Sequence, residues 1–198
     1  MMRSIGVTGG VGCGKSVILN YISEHYDARI IFADRLAYEL ESPGHDCYDR
    51  IVSLLGDDIL DPEGYIDKHI MADRIFGDPA LLTEVNGIIH PAVKEYICAE
   101  IERQREAGHP EFFVLEAALL IEEKYYDILD ELWYVRTDAD IRRQRLKANR
   151  GYSDEKTDSI MAAQLDDATY MKYCKYVIDN NGDPEAAFSQ VDLLLMRK

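Results

Sequence analysis

The chain has 198 residues, 22 Lys plus Arg against 37 Asp plus Glu, and a formal charge of −15. That length suits one compact domain with small helical insertions. The acidity excludes nucleic acid or an anionic membrane surface as the main partner, because both recruit cationic faces. Apolar and aromatic residues make up 47% of the chain, too many for disorder. The longest apolar run, Phe112 to Ile121, contains Glu116 and is too short to cross a membrane. The opening Met-Met-Arg passes straight into a strand-like run without a secretory h-region. Cys13, Cys47, Cys98 and Cys174 form no CxxC pair. Free thiols in a cytoplasmic protein are the expectation.

In chain order, Ser4 to Thr8 reads as a short buried strand, ended by the glycine cluster Gly9 to Gly14. Lys15 to Tyr26 has helical spacing of Val17, Ile18, Tyr21 and Ile22, and Arg29 to Phe32 is a second strand. A short helix follows from about Asp34 to Leu40. Residues 44–108 read as almost entirely helical, punctuated at Pro62-Glu63-Gly64, Gly77-Asp78-Pro79 and His90-Pro91. Phe112 to Leu115 and Leu132 to Val135 are the third and fourth strands. Helices are expected over 138–149 and 153–168, the second opened by the capping pattern Ser153-Asp154-Glu155-Lys156. Tyr176 to Asp179 is the fifth strand, and 184–196 a closing helix. Apolar strands alternating with helices imply an α/β sandwich, its five parallel strands covered on both faces. The expected plan is a single domain over 1–198, with a helical insertion at 42–108 and a lid region at 138–170.

Gly9-Gly10-Val11-Gly12-Cys13-Gly14-Lys15-Ser16 fits G-x-x-x-x-G-K-[ST] between a strand and a helix. Glycines let successive backbone N–H groups curl around phosphate oxygens, and the helix N-terminus adds its positive dipole end. Lys15 would reach the β- and γ-phosphates, and the Ser16 hydroxyl would ligate Mg²⁺. A dinucleotide fingerprint fails on spacing, since Lys15 or Val17 falls where its last glycine belongs. A guanine-reading NKxD motif is absent, and both DxxG strings, Asp61 to Gly64 and Asp179 to Gly182, read as turns. ATP is therefore the expected nucleotide. Its contacts are expected from Thr8, Gly9, Gly10, Val11, Gly12, Cys13, Gly14, Lys15, Ser16 and Val17.

Asp34 follows the second strand, on the carboxyl edge where open α/β folds bind ligands. It is either a base for an acceptor hydroxyl or the cap of the helix beginning there. Glu116 closes the third strand among apolar residues and needs a partner: Mg²⁺, Lys15, water or a structural ion pair. Glu122 reads as a helix-surface residue. Arg142, Arg143, Arg145, Lys147 and Arg150 fall within nine residues that hold no acid. On a helix Arg142 and Arg145 share a face, either as lid cations over a triphosphate or as part of a solvated basic helix. One close cation–phosphate pair is worth roughly 4 kcal/mol at an effective dielectric near 20. Remote charges are screened beyond about 8 Å, so local arrangement outweighs net charge.

The chain resembles the dephospho-CoA kinase family nearly end to end. Thr8 to Ser16 matches its TGG-x-G-x-GKS loop, and Phe32-Ala33-Asp34 its D-A-D element, with Phe at the first acid. Ile66-Asp67-Lys68 stands for I-D-R, and Val85 to Pro91 for L-x-x-I-x-H-P. Glu116 to Glu122 stands for D-V-P-L-L-F-E, with Glu116 one methylene longer and Ala118 lacking a rigid bend. Gln144 to Arg150 matches the lid, Gln164 its following glutamine, and Val177 to Gly182 the closing V-I-x-N-x-G. The resemblance implies Mg²⁺ and ATP as cofactors and dephospho-CoA as substrate, phosphorylated on its ribose 3′-hydroxyl. It makes Asp34 the base, Ser16 and Glu116 the metal-binding residues, and Asn180 a nucleotide contact. Arg142 and Arg145 become transition-state cations, the insertion holds the CoA moiety, and His90-Pro91 is a substrate contact or a helix start. A monomer or weak homo-oligomer is expected, with no nucleic acid and no membrane. The alternatives are a kinase of another small hydroxyl or phosphate acceptor, and a non-catalytic ATP-binding interaction protein.

Overall fold

The structure is a computed structural model that describes residues 2–197; Met1 and Lys198, the ends of the expected domain, lie outside them. The chain divides into two compact units, Met1–Ile31 with Gln104–Lys198, and Phe32–Arg103. The first begins with β1 (Arg3–Thr8) and α1 (Lys15–His25), followed by β2 (Ala28–Phe32). α2 (Ala33–Leu40), α3 (Asp46–Leu55), α4 (Lys68–Ile75) and α5 (Pro79–Ala107) come next. β3 (Phe112–Glu116), β4 (Glu131–Arg136), α6 (Ala139–Arg150), α7 (Asp154–Ala162), α8 (Asp167–Tyr173), β5 (Tyr176–Asp179) and α9 (Pro184–Leu195) complete the chain.

The five strands form one sheet in the order β2-β3-β1-β4-β5, with β1 parallel to both β3 and β4, and β4 parallel to β5. Phe112, Phe113, Val114 and Leu115 are all buried. Consecutive strand residues face opposite sides, so both faces of the sheet are covered. α1 and α9 pack together through Tyr21 and Phe188, whose rings stack at 4.2 Å. The hydroxyls of Tyr21 and Tyr26 both donate to Asp192 of α9, at 2.8 and 2.6 Å. Arg3 donates to the last carbonyls of α9 and to Glu131, closing the fold between its two ends. All four cysteines are free.

In the second unit, Asp67 caps α4 by accepting from the His69 and Ile70 amides, and Asp78 does the same for Ala80 and Leu81 at the start of α5. Two expectations need correction here. His90-Pro91 does not punctuate: Pro91 lies inside α5. An interior proline costs about 3 kcal/mol of helix stability, and here the buried stripe Val85, Ile88, Val93, Ile97 and Ile101 outweighs it. The segment 44–108 is also less uniformly helical than its composition suggests. Leu60 and Ile66 form an isolated antiparallel bridge around a turn in which Asp61 accepts from the Glu63 and Tyr65 amides.

Two further corrections concern the first unit. The helix expected over 153–168 is two helices, because Asp166 caps a new start by accepting from Thr169 N at 2.8 Å. Glu122 lies in a turn rather than on a helix.

Asp130 clamps the start of β1, its carboxylate accepting from the Ser4 amide and hydroxyl, both at 2.7 Å. Partial burial works to raise this carboxyl, but the Ser4 hydrogen bonds and the Arg105 charge outweigh it and hold it below the usual range. Asp130→Ala should cost about 1–2 kcal/mol, because the buried Ser4 donors lose their acceptor. A depressed carboxyl stabilises fully above its unfolded value of about 4, and that contribution is lost as pH falls through the folded value. Urea unfolding should therefore show a wild-type advantage at pH 7 that shrinks as pH falls below 4; an advantage independent of pH contradicts the clamp.

Candidate active site

β1 delivers the chain directly into the glycine loop, and the loop's shape depends on residues without a Cβ. Gly9 has φ +150°, and a Cβ there would lie 2.5 Å from the Val135 carbonyl oxygen. Gly14, at φ +89°, stands immediately before α1, and a Cβ there would lie 2.3 Å from Asn180 Nδ2. α1 then opens with Lys15, followed by Ser16 and Val17, both exposed on its first turn. Thr8, the last residue of β1, is buried.

Three alternate carbonyls of the loop are each met by a cation from the chain. Lys15 Nζ donates to Gly9 O at 2.8 Å and lies 3.5 Å from Glu116 Oε1 at the end of β3. Arg142 Nε donates to Val11 O at 2.8 Å, while its Nη2 donates to Gln164 Oε1 at 2.6 Å. Arg145 Nη1 approaches Cys13 O at 3.5 Å, and its Nη2 donates to Asn180 O at 2.9 Å. Asn180 is buried and its Nδ2 also donates to Cys13 O, at 2.8 Å. Thr137 Oγ1 lies within hydrogen-bond distance of the same carbonyl. Cys13 itself is buried, and burial pushes its thiol up although Lys15 works to lower it, so it stays protonated.

The cations of α6 fall into two sets by their partners. Arg143 pairs with Asp140 and Asp158, and Lys147 with Asp154. Among the described residues Arg142 and Arg145 have no carboxylate partner; their hydrogen bonds go to neutral oxygens of Val11, Gln164, Cys13, Thr137 and Asn180. The two arginines that reach the loop are thus held by neutral acceptors, whereas their neighbours on α6 are held by acids.

Asp34 sits in the second unit, exposed in the first turn of α2. Phe32 is the capping position there, with no side-chain cap bond, so Asp34 does not serve as the cap. Phe32 lies beneath the Arg35 guanidinium at 4.6 Å. Lys68 pairs with the buried Glu41 and lies 4.9 Å from the Tyr38 ring centre, so this lysine serves the interior of its own unit. Ala118 is exposed in a turn. Sequence reasoning missed how Gln164 and Thr137 join the loop. Gln164 stood in a recognisable motif without a partner, and Thr137 carried no signal.

The glycines lend themselves to a paired test. Gly9→Ala should cost about 2 kcal/mol or more, since unfavourable φ adds to a clash with fixed backbone. Gly10→Ala meets only the end of the Arg142 side chain and should fold almost normally while losing ATP affinity. Urea unfolding and ATP calorimetry on both variants separate the cases; a Gly9→Ala protein as stable as wild type contradicts the geometry.

The dephospho-CoA kinase family model matches residues 3–185. A dephospho-CoA kinase from Geobacter sulfurreducens is 36% identical, over 93% of this chain and 92% of its own. Another, from Aquifex aeolicus, is 35% identical over 96% of this chain and 94% of its own. A crystal structure from Thermus thermophilus shares the fold, with a TM-score of 0.79 and 24% identity over 98% of this chain and 96% of that one. With a family model spanning nearly all of it and relatives matched over nearly their whole length, the chain belongs to the dephospho-CoA kinase family.

Proposed function

We propose that the chain transfers the γ-phosphoryl group of ATP to the ribose 3′-hydroxyl of dephospho-CoA, giving CoA and ADP, the last step of CoA biosynthesis. Membership of the family supports the reaction and its substrates. The observation that carries the site assignment is the pair of loop-facing arginines with no carboxylate partner among the described residues. Phosphoryl transfer has little covalent chemistry for a protein to supply, so positioning and charge stabilisation dominate.

In this reading Thr8 to Val17 and Asn180 surround the nucleotide phosphates, and Lys15 leaves Gly9 O to meet the β- and γ-oxygens. Arg142 and Arg145 offset the charge on the transferring group. The 3′-oxygen attacks γ-phosphorus, the bond to the β–γ bridging oxygen breaks with ADP leaving, and Asp34 takes the hydroxyl proton. The residues fit Mg²⁺: Ser16 presents an exposed hydroxyl on the first turn of α1, and Glu116 a carboxylate beside Lys15. Mg²⁺ bound there would neutralise charge on the phosphates. No cluster of three or more His, Cys, Asp or Glu exists among the described residues, and a Mg²⁺ held largely through phosphate and water needs none. The 42–108 segment would hold the CoA moiety, and 138–170 would close over ATP. A cytoplasmic monomer or weak homo-oligomer fits this reading; no helix among the described residues is long and apolar enough to cross a membrane.

An ADP-coupled assay offering dephospho-CoA, nucleoside monophosphates and small sugars should show efficient turnover only with dephospho-CoA; none with that acceptor overturns the assignment. Asp34→Asn should lower kcat by about 10²–10⁴-fold, the usual range for a lost general base, with ATP affinity retained. Activity close to wild type would remove Asp34 from the role.

A further inference from the structure

The break between α7 and α8 holds Gln164, a residue expected within one continuous helix. Within residues 163–166, Gln164 Oε1 accepts from Val11 N at 3.0 Å and from Arg142 Nη2 at 2.6 Å. Both partners are donors, so the atom facing them has to be the carboxamide oxygen, with its two lone pairs. Three residues further on, Asp167 accepts from the Tyr134 hydroxyl at 2.7 Å and from Arg136 Nε at 3.1 Å. Tyr134 stacks on Tyr170 of α8 at 4.6 Å, and Arg136 also pairs with Asp138 and Asp179. The junction is therefore tied to the glycine loop on one side and to the ends of β4 and β5 on the other.

Arg142 is held over Gly10 by two neutral acceptors: an ideal Cβ on that glycine would lie 2.3–2.6 Å from the guanidinium. A long cation on a helix has many rotamers, and fixing one before substrate arrives lowers the ordering cost of binding. The neutrality of Gln164 matters as much as its reach. A carboxylate at the same place would orient the guanidinium equally well and cancel the charge the phosphates need.

We propose that Gln164 is a positioning residue that sets the Arg142 guanidinium over the loop and couples the α7–α8 junction to the phosphate cradle. The inference rests on the reading that Arg142 engages the nucleotide phosphates. It is tested by a cycle of Gln164→Leu, Arg142→Ala and the double variant, read by kinetics and by ATP calorimetry. Gln164→Leu should lower kcat about ten-fold or more, in keeping with a lost charge-assisted hydrogen bond, while KM for the acceptor stays nearly unchanged. In the Arg142→Ala background the same substitution should change kcat and ATP affinity by less than about two-fold, the non-additivity of residues that act as one unit. Gln164→Glu should keep the Val11 amide slow to exchange hydrogen and still lower kcat. Equal losses in both backgrounds would reduce Gln164 to a fold support and overturn the proposal, as would wild-type kcat in Gln164→Leu. Should that variant not fold, wild-type kcat in Gln164→Glu overturns it instead. ATP calorimetry needs no acceptor, so a wild type inert toward dephospho-CoA would sink the substrate assignment while leaving the cycle readable.

Discussion

The glycine loop is a curl of backbone whose carbonyls at Gly9, Val11 and Cys13 all need hydrogen-bond donors; Lys15 and Arg142 supply the first two, and Asn180 and Thr137 the third, with Arg145 close by. Buried or half-buried carbonyls without donors are costly, so this arrangement keeps the loop in one shape while concentrating positive charge beside it. Lys15 comes from the loop itself, whereas Arg142 and Arg145 come from α6, far along the chain. The loop's conformation and the placement of its charges are thus one constraint, and much of the first unit serves it. β1 brings the loop to the end of a buried sheet, and Val135 and Asn180, at the ends of β4 and β5, set how closely the backbone packs.

An acidic protein that handles anions has to keep its own acids away from the cations that matter. That separation is visible along α6, where Arg143 and Lys147 are paired with acids of α6 and α7 and the two loop-facing arginines are not. The net charge of −15 therefore describes a solvated exterior. Screening beyond about 8 Å leaves the local geometry in control. Glu116 is the exception, a carboxylate 3.5 Å from Lys15 Nζ.

What could be read before the structure followed from strong local signals. The third strand was legible because Phe112 to Leu115 are apolar at every position, as a sheet buried on both faces requires. The loop was legible because its glycines and Lys15-Ser16 have fixed spacing. Failures came where distant contacts overrode local preference. Pro91 stays within α5 because a buried stripe outweighs its missing N–H. The α7–α8 break escaped notice because Asp166 looks like any surface acid until its capping bond to Thr169 is seen. Gln164 and Thr137 act through partners more than 100 residues away, in Val11 and Cys13, and no local pattern encodes such a pairing.

Guanidinium charge held over the loop by neutral acceptors is the feature on which the functional reading turns, and calorimetric titration of AMP, ADP and ATP into wild type and an Arg142→Ala, Arg145→Ala variant tests it most directly. Affinity should climb from AMP through ADP to ATP in wild type, and most of that climb should vanish in the variant. Equal affinity for AMP and ATP in wild type, or an unchanged climb in the variant, would contradict it.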